Sequence, residues 1–447
     1  MPPENLTLLT DLYQLTMAQA YFREQQMGEA TFSLYIRSYP PNRGYFVSAG
    51  LTDVLGYLEG FAFDAEALAY LAAQKLFSDD FLHYLAALRF AGQVWAIPEG
   101  RIFFQDEPVL ELTAPIIEAQ IAETFIINQI HLQSLIATKA ARCVHAADGR
   151  AVVDFALRRT HGTDAGVKVA RASYLAGFHG TSNVLAGLRY GIPIVGTMAH
   201  SFVSSFENEI DAFRAYVASF SNNAILLIDT YDTLTGARNA VKVAKEMAGR
   251  GQKLVGVRID SGDLDMQARA VRQIFDEAAL PEVKIIGSGG LDEFDLAAMS
   301  ESNTPYDSYG VGTKMGTSAD APWTDLSYKL VEYRDRPMLK LSPGKISCPG
   351  KKQVFRQRDD QGNFQRDLIG LRDEEIGGEK LLKEVMRKGK IIGPHPSLAE
   401  CRATFAAEFA ALPQDVKAIH NPRHYEVDLT TKLKDLRDET AERIVRK

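Results

Sequence analysis

A glycine-rich turn, Gly287-Ser288-Gly289-Gly290, follows an apolar run and precedes LDEFDLAAM, which reads as a helix. Such a turn at a helix N-terminus aims backbone N–H groups at an anion, and the helix dipole adds to the attraction. The tip of the next run, Gly310-Val311-Gly312-Thr313-Lys314, adds a hydroxyl and an ammonium. Either could be a plain glycine turn; on consecutive late tips of a parallel fold they predict phosphate binding. Arg158-Arg159, with His161 and Gly162 next, end another apolar run, where guanidinium forks match phosphate or carboxylate. In RIDSGD, Arg258 offers a cation to an anionic substrate. Asp260 offers a carboxylate to a metal, a ribose hydroxyl or a cationic transition state, and an Arg–Asp ion pair is the plainer alternative. His200, shortly after Gly196-Thr197, brings an imidazole nitrogen competent to attack phosphorus and form a phosphohistidine, against the commoner core or capping histidine. Asp229 and Asp232 suit Mg²⁺-bridged phosphates or ribose hydroxyls, with helix capping the alternative for Asp232. Asp11-Leu12-Tyr13-Gln14 opens a helix with Asp11 as its cap, and by residue type alone Tyr13 is amphipathic core.

These side chains need a scaffold that presents them together. From about residue 150, short β-branched runs alternate with helical stretches: AVVDFA (151–156), IPIVGT (192–197), AILLID (224–229), KLVGVRID (253–260), VKIIGSGG (283–290) and DSYGVGT (307–313). Unbroken apolar runs suit strands of a parallel sheet buried on both faces. The segments 235–251 and 265–280 between them read as amphipathic helices ending at Gly or Pro. Each run ends in a charged, hydroxylated or glycine-rich tip, and parallel α/β folds bind ligands at the carboxyl ends of their strands. The first ~130 residues differ: helical spacing at 64–90 lies among the β-rich pieces 31–37, 92–100 and 108–115. After about 325 the chain is mixed again, with strand and turn at 345–359, a helix at 403–412 and a charged helical end. The expected organisation is an α+β domain of residues 1–130 with 326–447, built around an α/β barrel of residues 131–325.

With 447 residues, 46% hydrophobic and 24% charged, the chain has the composition of an ordinary globular protein that needs no disulfide or metal staple. Cys143, Cys348 and Cys401 stand far apart, without a Cys-x-x-Cys pair. No signal peptide or membrane span is expected, which makes the cytoplasm the default location. A net charge of −7 argues against a nucleic-acid partner and leaves small anionic substrates open.

Taken in order, TDLYQLTM (10–17), DFALRRTHG (154–162), GFHGTSNVLA (177–186), GTMAHSFV (196–203), DTYDTL (229–234), VRIDSGDL (257–264), GSGGLDE (287–293) and YGVGTKM (309–315) closely resemble nicotinate phosphoribosyltransferase, a type II phosphoribosyltransferase family. The resemblance implies an irregular TIM-like α/β barrel with a second α+β domain, in a homodimer whose active sites lie at the subunit interface. It implies transfer from phosphoribosyl pyrophosphate to nicotinate, giving nicotinate mononucleotide and pyrophosphate. The transfer would be coupled to ATP hydrolysis (hence a ligase-type classification) in NAD salvage, with Mg²⁺ carried on substrate phosphates; its protein ligand is left open, Asp229 and Asp260 being the candidates by residue type. By the same resemblance Tyr13, Thr197 and Arg258 bind nicotinate, Tyr13 stacking from the partner subunit, and His200 is phosphorylated by ATP. Thr313, with the backbone of Gly287–Gly290 and Gly312, holds donor phosphates; Arg158 and Arg159 join that constellation; Asp260 stabilises oxocarbenium character. The cysteine-rich zinc site of some family members is not expected here. Nicotinamide phosphoribosyltransferase is the near rival. Quinolinate phosphoribosyltransferase would leave the His200 motif unexplained, and a dehydrogenase would need Gly-x-Gly-x-x-Gly. A silent nucleotide-binding barrel, serving as sensor or scaffold, would need no phosphorylatable histidine.

Overall fold

The computed structural model describes residues 6–341 and 347–446, so Lys345 and Ile346 of the strand and turn expected at 345–359 lie outside the described residues. The chain divides into two units: Met1–Leu135 with Trp323–Lys447, and Ile136–Pro322.

In the first unit the strand Glu29–Ile36 runs antiparallel between Leu110–Pro115 and Leu326–Tyr333, so segments from both ends of the chain share one sheet. Seven strands make up this sheet. Phe32, Leu34, Leu110 and Leu112 point into a core shared with Phe81 and Leu85, and Phe32 stacks on Tyr328 with ring centroids 4.7 Å apart. Each such buried side chain contributes about 1.5–3 kcal/mol. The helical stretch at 64–90 is two helices, Ala65–Ala73 and Asp79–Ala87, because Ser78 caps the second through the Phe81 N–H. A smaller sheet carries Lys352–Arg358 and Phe364–Leu371, pinned by the buried ion pair of Arg356 and Asp367.

The second unit is a curled parallel sheet of six strands in the order Gly180–Thr181, Ala151–Asp154, Ser308–Val311, Lys284–Gly287, Gly256–Ile259, Ile225–Leu227. The sequence reading of an α/β barrel beside an α+β domain is met by a mixed α/β architecture in which the parallel sheet forms a half-barrel. Val152, Leu226, Val257, Ile285 and Val311 are almost wholly buried, as strands covered on both faces require. The intervening helices Thr233–Ala248, Leu264–Glu277 and Glu293–Glu301 start on Asp232, Asp263 and Asp292, whose carboxylates each accept a backbone N–H of the first turn. One expected strand fails. Residues 192–197 give only a bridge from Ile194 to Thr181. Pro193 lacks the N–H that a ladder needs, and Ile194 is exposed, so the sheet's edge falls here and Gly180–Thr181 is the strand instead. Among the described residues no helix is long and apolar enough to cross a membrane.

Candidate active site

Because the six strands are parallel, their carboxyl ends share one edge of the sheet. Register then decides which side chains meet. Leu227 lies level with Arg258, and Ile286 with Arg258, so Asp229, Asp260 and Ser288 come together two residues further along three adjacent strands. Arg258 donates from Nη1 to Asp260 (2.8 Å) and to the Ser288 hydroxyl (3.1 Å), and from Nη2 to the Met198 carbonyl (2.8 Å). Ser288 in turn donates to Asp260 at 2.5 Å. Asp229 accepts from the Asp260 N–H (2.9 Å) and the Ser261 hydroxyl (2.6 Å). Two polar atoms inside this web, Nε of Arg258 and Oδ1 of Asp229, are buried with no hydrogen-bond partner. A buried donor and a buried acceptor left unpaired cost free energy that a ligand can recover.

His200 begins the helix His200–Ser204, with its side chain 44% exposed. Its Nδ1 is 3.2 Å from the Thr230 hydroxyl and its Nε2 is 3.7 Å from Asp260, so the imidazole faces the same carboxylate as Arg258. Burial depresses the Arg258 pKa; Asp260 and Asp229 oppose the shift, and the charge of Arg158 adds to it. Arg158 therefore lies within electrostatic reach of Arg258. It and Arg159 sit exposed on the 3₁₀ turn Leu157–Arg159, and among the described residues their guanidinium groups make no ion pair or hydrogen bond.

The glycine turn has a steric reason. At Gly289, where φ is +102°, a Cβ would stand 1.9 Å from the Asp260 carbonyl oxygen, whereas at Gly290 (φ +78°) it would meet open space. The close approach at 289 presses the turn against the Arg258–Asp260 segment. The N–H groups of Gly289, Gly290 and Gly312 take no partner among the described residues.

The chain matches three family models: the nicotinate phosphoribosyltransferase N-terminal domain over residues 8–131, the nicotinate phosphoribosyltransferase family over 151–333, and the C-terminal domain over 377–437. Nicotinate phosphoribosyltransferase pncB2 of Mycobacterium tuberculosis is 48% identical over 415 residues, 93% of this chain and 89% of the relative. The chain belongs to the nicotinate phosphoribosyltransferase family. The Bacillus subtilis nicotinate phosphoribosyltransferase is 35% identical over 459 residues, covering 96% of this chain and 93% of its own length. In fold, the crystal structure of human nicotinic acid phosphoribosyltransferase aligns with a TM-score of 0.87 at 29% identity, over 96% of this chain and 99% of that one.

Of the residues singled out by type and spacing, Arg258, Asp260, Asp229, Ser288 and His200 converge, and the loop carrying Thr197 joins them through Met198. Ser288 is tied to Arg258 and Asp260, a clamp where a phosphate ligand was expected. Thr313 is exposed at the start of the short helix Thr313–Gly316. Lys314 is engaged, at 3.1 Å from Asp292 and 3.0 Å from Asp295, and those two acids already cap the helix that was to face an anion. The N–H donors left for a phosphate are thus those of the glycine turn, not of the helix. Asp232 caps its helix through the Thr235 N–H (2.8 Å). Asp11 precedes the helix Leu12–Arg23, but its side chain accepts from Thr124 (2.8 Å) and makes no cap bond. Tyr13, on that helix of the first unit, is 49% exposed, not core. Sequence reasoning passed over Thr230, Ser261 and the Met198 carbonyl. The hydroxyl inside Asp260-Ser261-Gly262-Asp263 was a usable signal; nothing in a sequence marks a carbonyl.

Proposed function

We propose that this protein forms nicotinate mononucleotide and pyrophosphate from nicotinate and phosphoribosyl pyrophosphate, with ATP hydrolysis coupled through a phosphohistidine at His200, in NAD salvage. The observation that carries the reading is Arg258 bound to Asp260, the carboxylate that His200 also faces, with the buried Nε of Arg258 unpaired. It is supported by the family and by relatives bearing the name nicotinate phosphoribosyltransferase over nearly the whole chain. A half-buried guanidinium with a spare buried donor suits a carboxylate, which nicotinate has and nicotinamide lacks.

With the carboxylate on Arg258 and the ring beside Thr197, the pyridine nitrogen is turned toward the anomeric carbon. The nitrogen forms the new C–N bond as the bond to pyrophosphate breaks and the leaving group takes the electron pair. Asp260 opposes the positive charge that develops on the ribosyl carbon. The free N–H groups of Gly289, Gly290 and Gly312, the Thr313 hydroxyl, and Arg158 with Arg159 bind the donor's phosphates. The unpaired Asp229 Oδ1 fits a cation carried on those phosphates or a ribose hydroxyl, and Mg²⁺ bound there would offset pyrophosphate charge. In the coupled step an imidazole nitrogen of His200 attacks the γ-phosphorus and ADP leaves. Tyr13, exposed on its helix, is read as the ring that stacks on nicotinate from the second subunit of a homodimer, and the cytoplasm as the protein's location.

The test is pyrophosphate release in Mg²⁺ and phosphoribosyl pyrophosphate with nicotinate or nicotinamide, with and without ATP, together with capture of acid-labile phosphoenzyme. Release with nicotinate, stimulated by ATP, is expected, and a phosphoenzyme that disappears in His200→Ala. No release with nicotinate under any condition overturns the reading; phosphoenzyme persisting in His200→Ala overturns the role of that histidine.

A further inference from the structure

A cavity of about 360 Å³ lies against the loop Thr197–Met198, walled by Phe202, Phe206, Tyr216 and Phe220 and edged by Thr197 and Ser219. Its size and lining, apolar with a few polar groups at the edge, are those of a small-molecule site. The rings already form a ladder: Phe202 to Phe206 at 5.2 Å, Phe202 to Tyr216 at 5.9 Å and Tyr216 to Phe220 at 5.0 Å between centroids. Phe220 is 55% exposed, so one wall is open to a flat partner. The cavity begins where the anion-binding web ends, since Met198 lines it and also accepts from Arg258.

We infer that this cavity is the subsite for the purine of the nucleoside triphosphate that phosphorylates His200, an inference that rests on the ATP-coupled reading above. Three ligands compete for it. The phosphoribosyl donor has no apolar group to place among four aromatic rings. Nicotinate needs its carboxylate on Arg258 and its nitrogen at the anomeric carbon, on the side that His200 and Asp260 face. On the helix His200–Ser204, His200 and Phe202 are about 200° apart at ~100° per residue. Met198 and Phe202, on either side of His200 in the chain, both line the cavity, so it adjoins the loop that carries that histidine. The purine is the one large flat group left. Base stacking on aromatic side chains is sequence-tolerant and strong enough to hold it, and the Ser219 hydroxyl can meet its edge.

The experiment uses the full chain as wild type, Phe220→Ala and Tyr216→Leu. Equilibrium binding of Mg²⁺-ATP is compared with inorganic tripolyphosphate, beside the KM values of ATP, nicotinate and phosphoribosyl pyrophosphate. The ATP-independent rate reports intact folding. Wild type is expected to bind ATP at least about tenfold more tightly than tripolyphosphate, and both variants to lose that advantage and raise the KM for ATP about tenfold. Their nicotinate and donor KM values stay unchanged. If both variants keep the preference for ATP, or if nicotinate KM rises in place of ATP KM, the purine assignment is overturned while the coupled reaction stands. If wild type forms no phosphoenzyme from ATP, the coupled reading falls and takes the assignment with it.

Discussion

Beneath the glycine turn, Glu293 is fully buried and shared by two buried cations: its Oε1 accepts from Arg142 Nε at 2.9 Å, and it contacts Lys139, whose Nζ is also 2.7 Å from Asp320. Lys139 thus ties the helix that follows the Gly287–Gly290 tip to the segment that follows the Gly312–Lys314 tip. Replacing Glu293 with Leu removes the carboxylate common to both cations. Breaking a buried pair from one side costs about 3–5 kcal/mol, since the remaining charge stays desolvated. Lys139 keeps Asp320, and about 4 kcal/mol is expected for the loss of the shared carboxylate. For a unit of this size each kcal/mol moves the midpoint about 2–4 °C, so scanning calorimetry should record a drop of about 8–16 °C. Glu293→Gln, which keeps an acceptor for Arg142, should fall between the two. Lys139→Met combined with Glu293→Leu should cost less than the sum of the single changes, because a cation and its counter-charge leave together. The KM for phosphoribosyl pyrophosphate should rise in Glu293→Leu as the turn loosens. A drop below about 3 °C, or strict additivity in the double variant, would refute the view that this cluster fastens the two tips.

Gly289→Ala should lose activity and stability, because its Cβ would meet the Asp260 carbonyl at 1.9 Å. Gly290→Ala, with open space, should cost only about 1 kcal/mol for a left-handed alanine, which chemical denaturation can separate from the first. Ser288→Ala removes the hydroxyl that joins Arg258 to Asp260. It should weaken nicotinate about tenfold, leaving the KM for phosphoribosyl pyrophosphate unchanged; steady-state kinetics decides, and an effect on the donor alone returns Ser288 to phosphate binding. In the first unit, burial raises the Glu118 pKa to about 7, only partly offset by the Ala91 N–H. The folded state then holds a proton that the unfolded state has released, so this contribution is complete below about pH 4.5 and is lost as pH rises through 7. Glu118→Gln should flatten the pH dependence of the thermal midpoint across that window, and an unchanged slope would contradict it.

The strand tips were legible because buried parallel strands leave runs of Val and Ile that break off at polar residues. Five of the six runs form strands; the sixth, with Pro193, shows that an apolar run at a sheet edge loses the ladder. Asp232 and Lys314 show the limit from the other side. Both stand at tips as the motifs require, yet Asp232 serves its own helix and Lys314 is held by Asp292 and Asp295. Residue type does not reveal which neighbour reaches a charge first.

The sequence alone determined the chemistry on offer: glycines where the backbone turns left-handed, a histidine and an Arg-x-Asp at strand ends, and apolar runs long enough to bury a parallel sheet. These follow from local sterics and periodicity, which act within a few residues. The tertiary structure decided which of those groups meet. The register of three strands brought Asp229, Asp260 and Ser288 level, left Arg258 Nε and Asp229 Oδ1 buried and unpaired, and set Glu293 between cations some 150 residues earlier in the chain. Hydrogen bonds and ion pairs depend on ångström separations across long loops, and only the packed sheet sets those.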